Sequence, residues 1–147
     1  MNYSLATEDN GPEIRRLLTD GDLHHEDITT AQLKHFLLGW DGPTKLVAVV
    51  GLEIKNRSAL LRSLAVDADY RSRGIATKLV GKIEGYAKSM EVDTLYLLTL
   101  TAEAFFEKCG YRQIARDSAP AKIQETTEFR NLCPASAVCM VRHLGAE

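Results

Sequence analysis

Cysteine is scarce in this 147-residue chain, and Cys109, Cys133 and Cys139 form an odd set without CxxC spacing. A disulfide framework is therefore not expected. Neither sign of charge is in excess: 18 Lys and Arg face 20 Asp and Glu, a formal charge of -2. The basic residues are scattered and leave no electrostatic footprint for nucleic acid. Long apolar runs are also missing, since segments 46–52 and 95–100 are far shorter than the ~20 residues that cross a bilayer. Residues 1–9 lack the basic-then-apolar order of a secretory signal. No repeat, low-complexity tract or Ser/Gly linker divides the chain. One domain over 1–147, cytoplasmic and reduced, is the expectation.

What is present is a core-forming composition, 45% hydrophobic and 26% charged. A chain of this length buries roughly two-thirds of its unfolded surface without a metal or disulfide staple. Tyr3 and Leu5 predict a short strand, and Pro12 followed by Ile14, Leu17 and Leu18 predicts a helix. A second short helix is expected over 30–36. Segments 37–40 and 44–54 flank Asp41-Gly42-Pro43 and read as a hairpin.

After a turn at Asn56-Arg57-Ser58, strand 59–66 is apolar on both faces, with Leu60, Leu64 and Val66 on one and Leu61, Ser63 and Ala65 on the other. Ile75, Leu79, Ile83, Ala87 and Met90 then recur at helical spacing over 74–90. Interior Gly81 and Gly85, each about 1 kcal/mol worse than alanine, imply close packing or a mobile turn. The apolar run 94–100 completes a strand–helix–strand unit with parallel strands. Thr101 is placed to cap a helix over 102–109 that Gly110 ends. Segments 111–115 and 137–143 are the last strands, separated by a helix opening at Pro120 and a loop around Cys133-Pro134. The fold class is α/β with a mixed sheet.

The segment with most chemical content is 66–77, where an apolar strand passes through a polar turn into a glycine-containing helix start. The first helical turn cannot satisfy its own N–H donors, and its dipole favours negative charge. Arg73, Gly74, Ile75, Ala76 and Thr77 therefore suit a pyrophosphate. An ordinary strand-to-helix connection would have the same spacing.

The run Arg71-Ser72-Arg73-Gly74-Ile75-Ala76 matches the Q/R-x-x-G-x-G/A signature of the GCN5-related N-acetyltransferases, or GNATs. Residues 99–111, TLTAEAFFEKCGY, are similar to that family's N-x-x-A-x-x-x-Y-E-K-x-G-F segment. The resemblance covers nearly the whole chain. It implies a central twisted, mostly antiparallel sheet in which the parallel strands 59–66 and 94–100 splay apart for acetyl-CoA. It implies acetyl-CoA as cosubstrate and no metal. The pyrophosphate would lie on Arg71, Ser72, Arg73, Gly74, Ile75, Ala76 and Thr77, and the pantetheine arm beside Leu64, Ala65 and Val66. Two positions on the cofactor side depart from the family: Thr99 stands where asparagine is common, and Phe106 where a tyrosine often protonates the departing thiolate. Phenylalanine has no proton to give, although a thiol of pKa near 8.5 leaves tolerably unassisted. Tyr111, where the family often has phenylalanine, reads as a core residue.

An amine must be neutral to attack a thioester, so a base is expected within reach. Glu53, in Val49-Val50-Gly51-Leu52-Glu53-Ile54, is the candidate; its alternative is a solvated carboxylate on a strand face. Arg62 interrupts an apolar strand and needs a carboxylate or solvent beside it. The LRSLAV segment is similar to one in N-acetylglutamate synthase-type enzymes, which implies a substrate carboxylate; a structural ion pair with Glu53 or another acid is the alternative. Ser63 would assist or merely pack. The unusual segment 120–137, with Gly51-Leu52-Glu53, resembles small acetyltransferases associated with arsenic resistance. This implies a small-molecule acceptor of amino-acid type, such as a glutamate analogue, with Arg62 and Arg130 on its oxyanions. Biosynthetic acetylation of a glutamate-type amino acid and a non-catalytic CoA-binding sensor are the other readings. Nucleic acid and membrane are not expected partners. The fold is commonly dimeric, but no sequence feature fixes an interface. Cys133 and Cys139 read as small apolar residues rather than a metalloid site, and His24-His25 as a solvated loop.

Overall fold

The computed structural model describes residues 1–132 and 134–145, so Cys133 lies outside the described residues. The chain divides into two compact units, residues 1–53 with 62–85, and residues 54–61 with 86–147. The order of strands is β1-β2-β3-β4-β5-β7-β6.

In the first unit, the spacing of Ile14, Leu17 and Leu18 produces the buried stripe of helix α1 (Gly11–Asp20), with Pro12 in its first turn. Strand β1 (Asn2–Leu5) pairs antiparallel with β2 (Phe36–Asp41), and β2 with β3 (Lys45–Lys55). The hairpin turns at Gly42, whose φ of +74° suits glycine. Helix α2 is a single turn, Thr30–Leu33, whose Thr29 and Gln32 form a capping box. It stops short of the expected Phe36 because that ring begins β2 and is wholly buried. Ile14, Leu17, Leu18, Ile28, Leu33, Phe36, Leu38 and Val49 share one core cluster, against which Trp40 packs.

Strand β4 (Ser58–Val66) carries Arg62 and Ser63 into the first unit. Strict alternation of its two faces does not survive, because Ser63 stands at φ +61°, a left-handed conformation that costs a non-glycine residue about 1–2 kcal/mol. Helix α3 (Ile75–Ser89) follows the polar turn and buries Ile75, Leu79, Val80 and Ile83. Gly81 does not mark close packing: a Cβ built there meets nothing within 4 Å, and the same holds at Gly85.

The second unit contains the parallel pairing of β4 with β5 (Thr94–Thr99), in register Ser58↔Thr94, Ala59↔Leu95 and Leu60↔Tyr96. Strand β7 (Val138–His143) lies antiparallel between β5 and β6 (Arg112–Ile114). Helix α4 is Glu103–Lys108 with Ala102 at its N-cap, so Thr101 does not cap it. Thr99 performs the related task, its Oγ1 accepting the Ala102 N–H at 2.9 Å. Pro120 precedes the single-turn α5 (Ala121–Gln124), and a π-helical turn covers Glu128–Leu132. Leu60, Ala119, Ile123, Phe129 and Cys139 form this unit's core cluster.

Two alanine substitutions test the packing in opposite directions. Gly51 faces Phe36 across the β2–β3 ladder, and an added Cβ would lie 2.5 Å from its ring. Gly51→Ala should destabilise by about 1–3 kcal/mol through overpacking, a fall of roughly 3–10 °C in Tm for a chain this size. Gly81→Ala, with open space and helical backbone, should instead stabilise by about 0.5–1 kcal/mol. Thermal melts followed by circular dichroism read both.

Candidate functional site

The turn between β4 and α3 is built from its own side chains. Asp67 accepts the Asp69 N–H at 2.9 Å and opens a short 3-10 turn, Ala68–Tyr70. Ser72 and Gly74 both stand in the left-handed region, at φ +63° and +80°. This reverses the chain so that the amides of Ile75, Ala76 and Thr77 begin a helix whose first-turn donors have no intrahelical acceptor. Nothing lies within 4 Å of a Cβ built on Gly74, so the backbone there is open to an approaching group.

The two arginines of the turn are exposed yet tethered. Arg71 Nε donates to the Val66 carbonyl at 3.1 Å, and Arg73 Nη2 to the Asp69 carbonyl at 3.0 Å. Arg73 also lies over the Tyr70 ring, 4.9 Å from its centroid, while Lys45 approaches the same ring and the Tyr70 hydroxyl donates to Asp41. These contacts hold positive charge beside the helix start, and the set of backbone donors, open glycine and cations fits a phosphate-bearing ligand. Leu64 and Val66 are half-buried, and Ala65 packs in the first unit's core.

A second cluster in the same unit surrounds Arg62, whose side chain is fully buried. Its Nη1 donates to Glu53 Oε1 at 2.7 Å and also to Asp27 Oδ2; its Nη2 donates to Asp27 Oδ1 at 2.8 Å. Nε donates to Ser63 Oγ at 2.9 Å, so the hydroxyl of the residue in the left-handed conformation serves the guanidinium. Both oxygens of Asp27 are thus on Arg62, whereas Glu53 gives it one. No second partner takes Glu53 Oε2 among the described residues, and the Glu53 side chain keeps 7% exposure. Glu53 is therefore not a solvated carboxylate, and Arg62 realises the ion-pair alternative. Burial pushes the Asp27 carboxyl up, but the Arg62 hydrogen bonds and charge outweigh it and hold the group below its usual range.

Asp27 had no distinguishing mark within the run His24-His25-Glu26-Asp27. The signal lay in Arg62 itself, because a guanidinium in an apolar strand calls for carboxylates from elsewhere in the chain. The loop holding Asp27 is pinned by Arg15 Nη2, which donates to the Ile28 carbonyl at 2.7 Å, and by the buried Ile28 side chain. His24 is exposed, while His25 Nε2 lies 2.9 Å from Thr19 Oγ1. No group of three metal-ligating side chains converges among the described residues.

The remaining sequence candidates belong to the second unit. Phe106 is buried edge-on against Phe105 and Tyr111, with centroids at 5.1 and 5.5 Å. Tyr111 is buried as well, in keeping with a core residue. Arg130 is exposed on the π-helical turn. Burial raises the Cys139 thiol to about 11, which keeps it protonated and a poor metal ligand. Glu107 is exposed and Glu103 half-buried on α4.

The model of the acetyltransferase (GNAT) family matches residues 3–111, and the chain belongs to that family. An uncharacterised N-acetyltransferase of Chlorobaculum tepidum is 35% identical over 87 residues, 58% of this chain and 56% of that protein. The chain thus spans little more than half of that relative's length. Among solved structures, N-acetylglutamate synthase from Neisseria gonorrhoeae with coenzyme A and N-acetyl-glutamate superposes with a TM-score of 0.84 at 17% identity. That match covers 99% of this chain and 35% of the synthase. A Mycobacterium tuberculosis protein in complex with CoA gives 0.79 at 17% identity, covering 97% and 99% of the two chains. These likenesses establish the fold: a mixed sheet of seven strands with β4 and β5 parallel. No helix among the described residues is long and apolar enough to cross a membrane.

Asp27 carries an acid-stability signature. Its folded pKa lies below the ~3.9 of an unfolded aspartate, so its contribution is complete above about pH 4 and is lost as pH falls through the folded value. The gap in urea midpoint between the wild type and Asp27→Asn should be widest near neutrality and shrink below about pH 4, as denaturant melts across pH 2–7 would record.

Proposed function

We propose that the protein transfers the acetyl group of acetyl-CoA to the primary amine of a small acceptor of amino-acid type, by direct attack in a ternary complex. The observation that carries this reading is the state of Glu53: a nearly buried carboxylate with Oε1 held by Arg62 and Oε2 without a partner among the described residues. Such a group is oriented yet able to accept a proton, directly or through a water. The turn Arg71, Ser72, Arg73, Gly74, Ile75, Ala76 and Thr77 supplies the phosphate cradle, and the end of β4, Leu64 to Val66, supplies backbone groups for the pantetheine arm. Acetyl-CoA contributes the activated thioester.

Glu53 Oε2 takes one proton from the acceptor's ammonium, the freed lone pair bonds to the thioester carbon as its C–S bond breaks, and the second proton that the nitrogen sheds goes to solvent. Phe106 packs among aromatic rings and has no proton to give, so this chain sends the thiolate out without an acid at that position. The amino-acid acceptor rests on the similarity to N-acetylglutamate synthase and on the likeness of the Leu61-Arg62-Ser63-Leu64-Ala65-Val66 segment to one in enzymes of that type. Arg62 already holds two carboxylates, so its guanidinium serves Glu53 and Asp27 rather than an acceptor carboxylate. A glutamate analogue bearing arsenic or phosphorus belongs to the same acceptor class.

Coenzyme A release measured over L-amino acids, phosphinothricin-like and arsinothricin-like glutamate analogues, polyamines and peptides tests this reading. Release with an amino acid or analogue, and a loss of about 10²-fold in kcat in Glu53→Gln, is the expected result. Acetyl-CoA binding without acceptor-dependent release would turn the reading toward a CoA-binding sensor. Gly74→Ala adds a side chain at φ +80° where the phosphate would approach, and its acetyl-CoA Kd, by titration calorimetry, should rise about tenfold or more.

A further inference from the structure

The Arg62 cluster has more in it than a base needs. A guanidinium and a carboxylate prefer a bidentate, fork-to-fork pair. With Glu53 as its only acid, Arg62 would therefore engage both Glu53 oxygens and leave each a weaker proton acceptor. Asp27 prevents this. It occupies the Nη1–Nη2 edge with both of its own oxygens, so that Glu53 receives a single N–H from Nη1 at 2.7 Å. The planar guanidinium cannot then rotate, because Ser63 Oγ holds Nε from the other side. Charge follows geometry: two carboxylates share one cation, so Arg62 does not wholly neutralise Glu53. The placement of Asp27 is itself secured, with Arg15 on the neighbouring Ile28 carbonyl and Ile28 in the core.

We propose that Asp27 is a positioning residue for the acetyl transfer, holding the fork of Arg62 so that Glu53 keeps one oxygen free to act as base. This inference rests on the reading of Glu53 given above. Asp27 itself does not meet the substrate; it acts through Arg62.

A double-variant cycle separates this role from mere anchoring of the loop. Turnover of Asp27→Asn, Glu53→Gln and the double variant would be measured with the amine that the acceptor panel selects, or as acetyl-CoA hydrolysis by water where none is selected. Rates are expressed per acetyl-CoA-binding site, so that a lower yield of folded protein does not count as lost chemistry. Asp27→Asn should lower kcat about tenfold, with the KM for acetyl-CoA within about twofold, and should add no further loss in the Glu53→Gln background. Asp27→Glu keeps a carboxylate fork and should recover most of the rate; Asp27→Ser, which removes the fork, carries the same cycle if Asp27→Asn gives no binding-competent protein. Losses that multiply in the double variant, or an unaltered kcat in Asp27→Asn, overturn the positioning role and leave Glu53 as base. Wild-type turnover in Glu53→Gln overturns the reading of Glu53, and this inference with it.

Discussion

A guanidinium with no exposed side-chain surface dictates much of the first unit. Moving a charge out of water costs several kcal/mol unless partners replace the solvent. Arg62 obtains them from three directions: a carboxylate on β3, a carboxylate from the loop after α1, and the hydroxyl of the next residue. Each demand has a structural consequence. The loop must bring Asp27 inward, β3 must present Glu53 at its C-terminal part, and Ser63 must accept a left-handed backbone. That last feature is backbone strain held directly beside the buried charge. The result is a carboxylate with one oxygen fixed and one open.

The turn between β4 and α3 obeys a different economy. It uses almost no burial: Arg71, Ser72, Arg73 and Gly74 are all exposed. Order comes instead from short-range hydrogen bonds, with Asp67 opening the turn and both arginines returning to carbonyls within five residues. Such local bonding makes the turn legible from a short motif, because most of what determines its shape lies within the motif. Tyr70 is the exception, since its contacts with Asp41 and Lys45 reach back to the β2–β3 hairpin.

In the second unit, the departures from the family pattern have plain packing explanations. Phe106 completes an edge-to-face set with Phe105 and Tyr111, for which a hydroxyl is not needed. Thr99 bonds the Ala102 amide and so starts the chain toward α4, a task that its short side chain performs without asparagine. Arg116 draws in the segment after α5, donating at 2.7 Å to the carbonyls of Phe129 and Pro134. The exposed Arg130 is thereby carried on a segment tied to the unit's core.

Much of the fold was readable because it is written in local periodicity. The Ile14–Leu17–Leu18 stripe, the turn at Asp41-Gly42-Pro43 and the Ile75–Leu79–Ile83 face each determine one element through contacts a few residues apart. The parallel relation of β4 and β5 followed from the helix between them, since parallel strands require a long crossover. The polar turn before α3 was legible for the same reason, and so was the need of Arg62 for an acid. Which acid answered that need was not, for Asp27 lies 35 residues away in a polar loop where it looks like any solvated aspartate. Nor did the alternating pattern of β4 reveal Ser63 at φ +61°, because backbone strain leaves no mark on hydrophobic periodicity. Of the two readings of Gly81 and Gly85, close packing or a mobile turn, the open space around both removes the first. The sequence by itself thus determined the elements, the polar turn before α3 and the presence of a charge requiring compensation. Only the tertiary structure decided that Asp27 and Glu53 share that charge unequally, because the direction of a buried hydrogen bond depends on atoms brought together from distant parts of the chain.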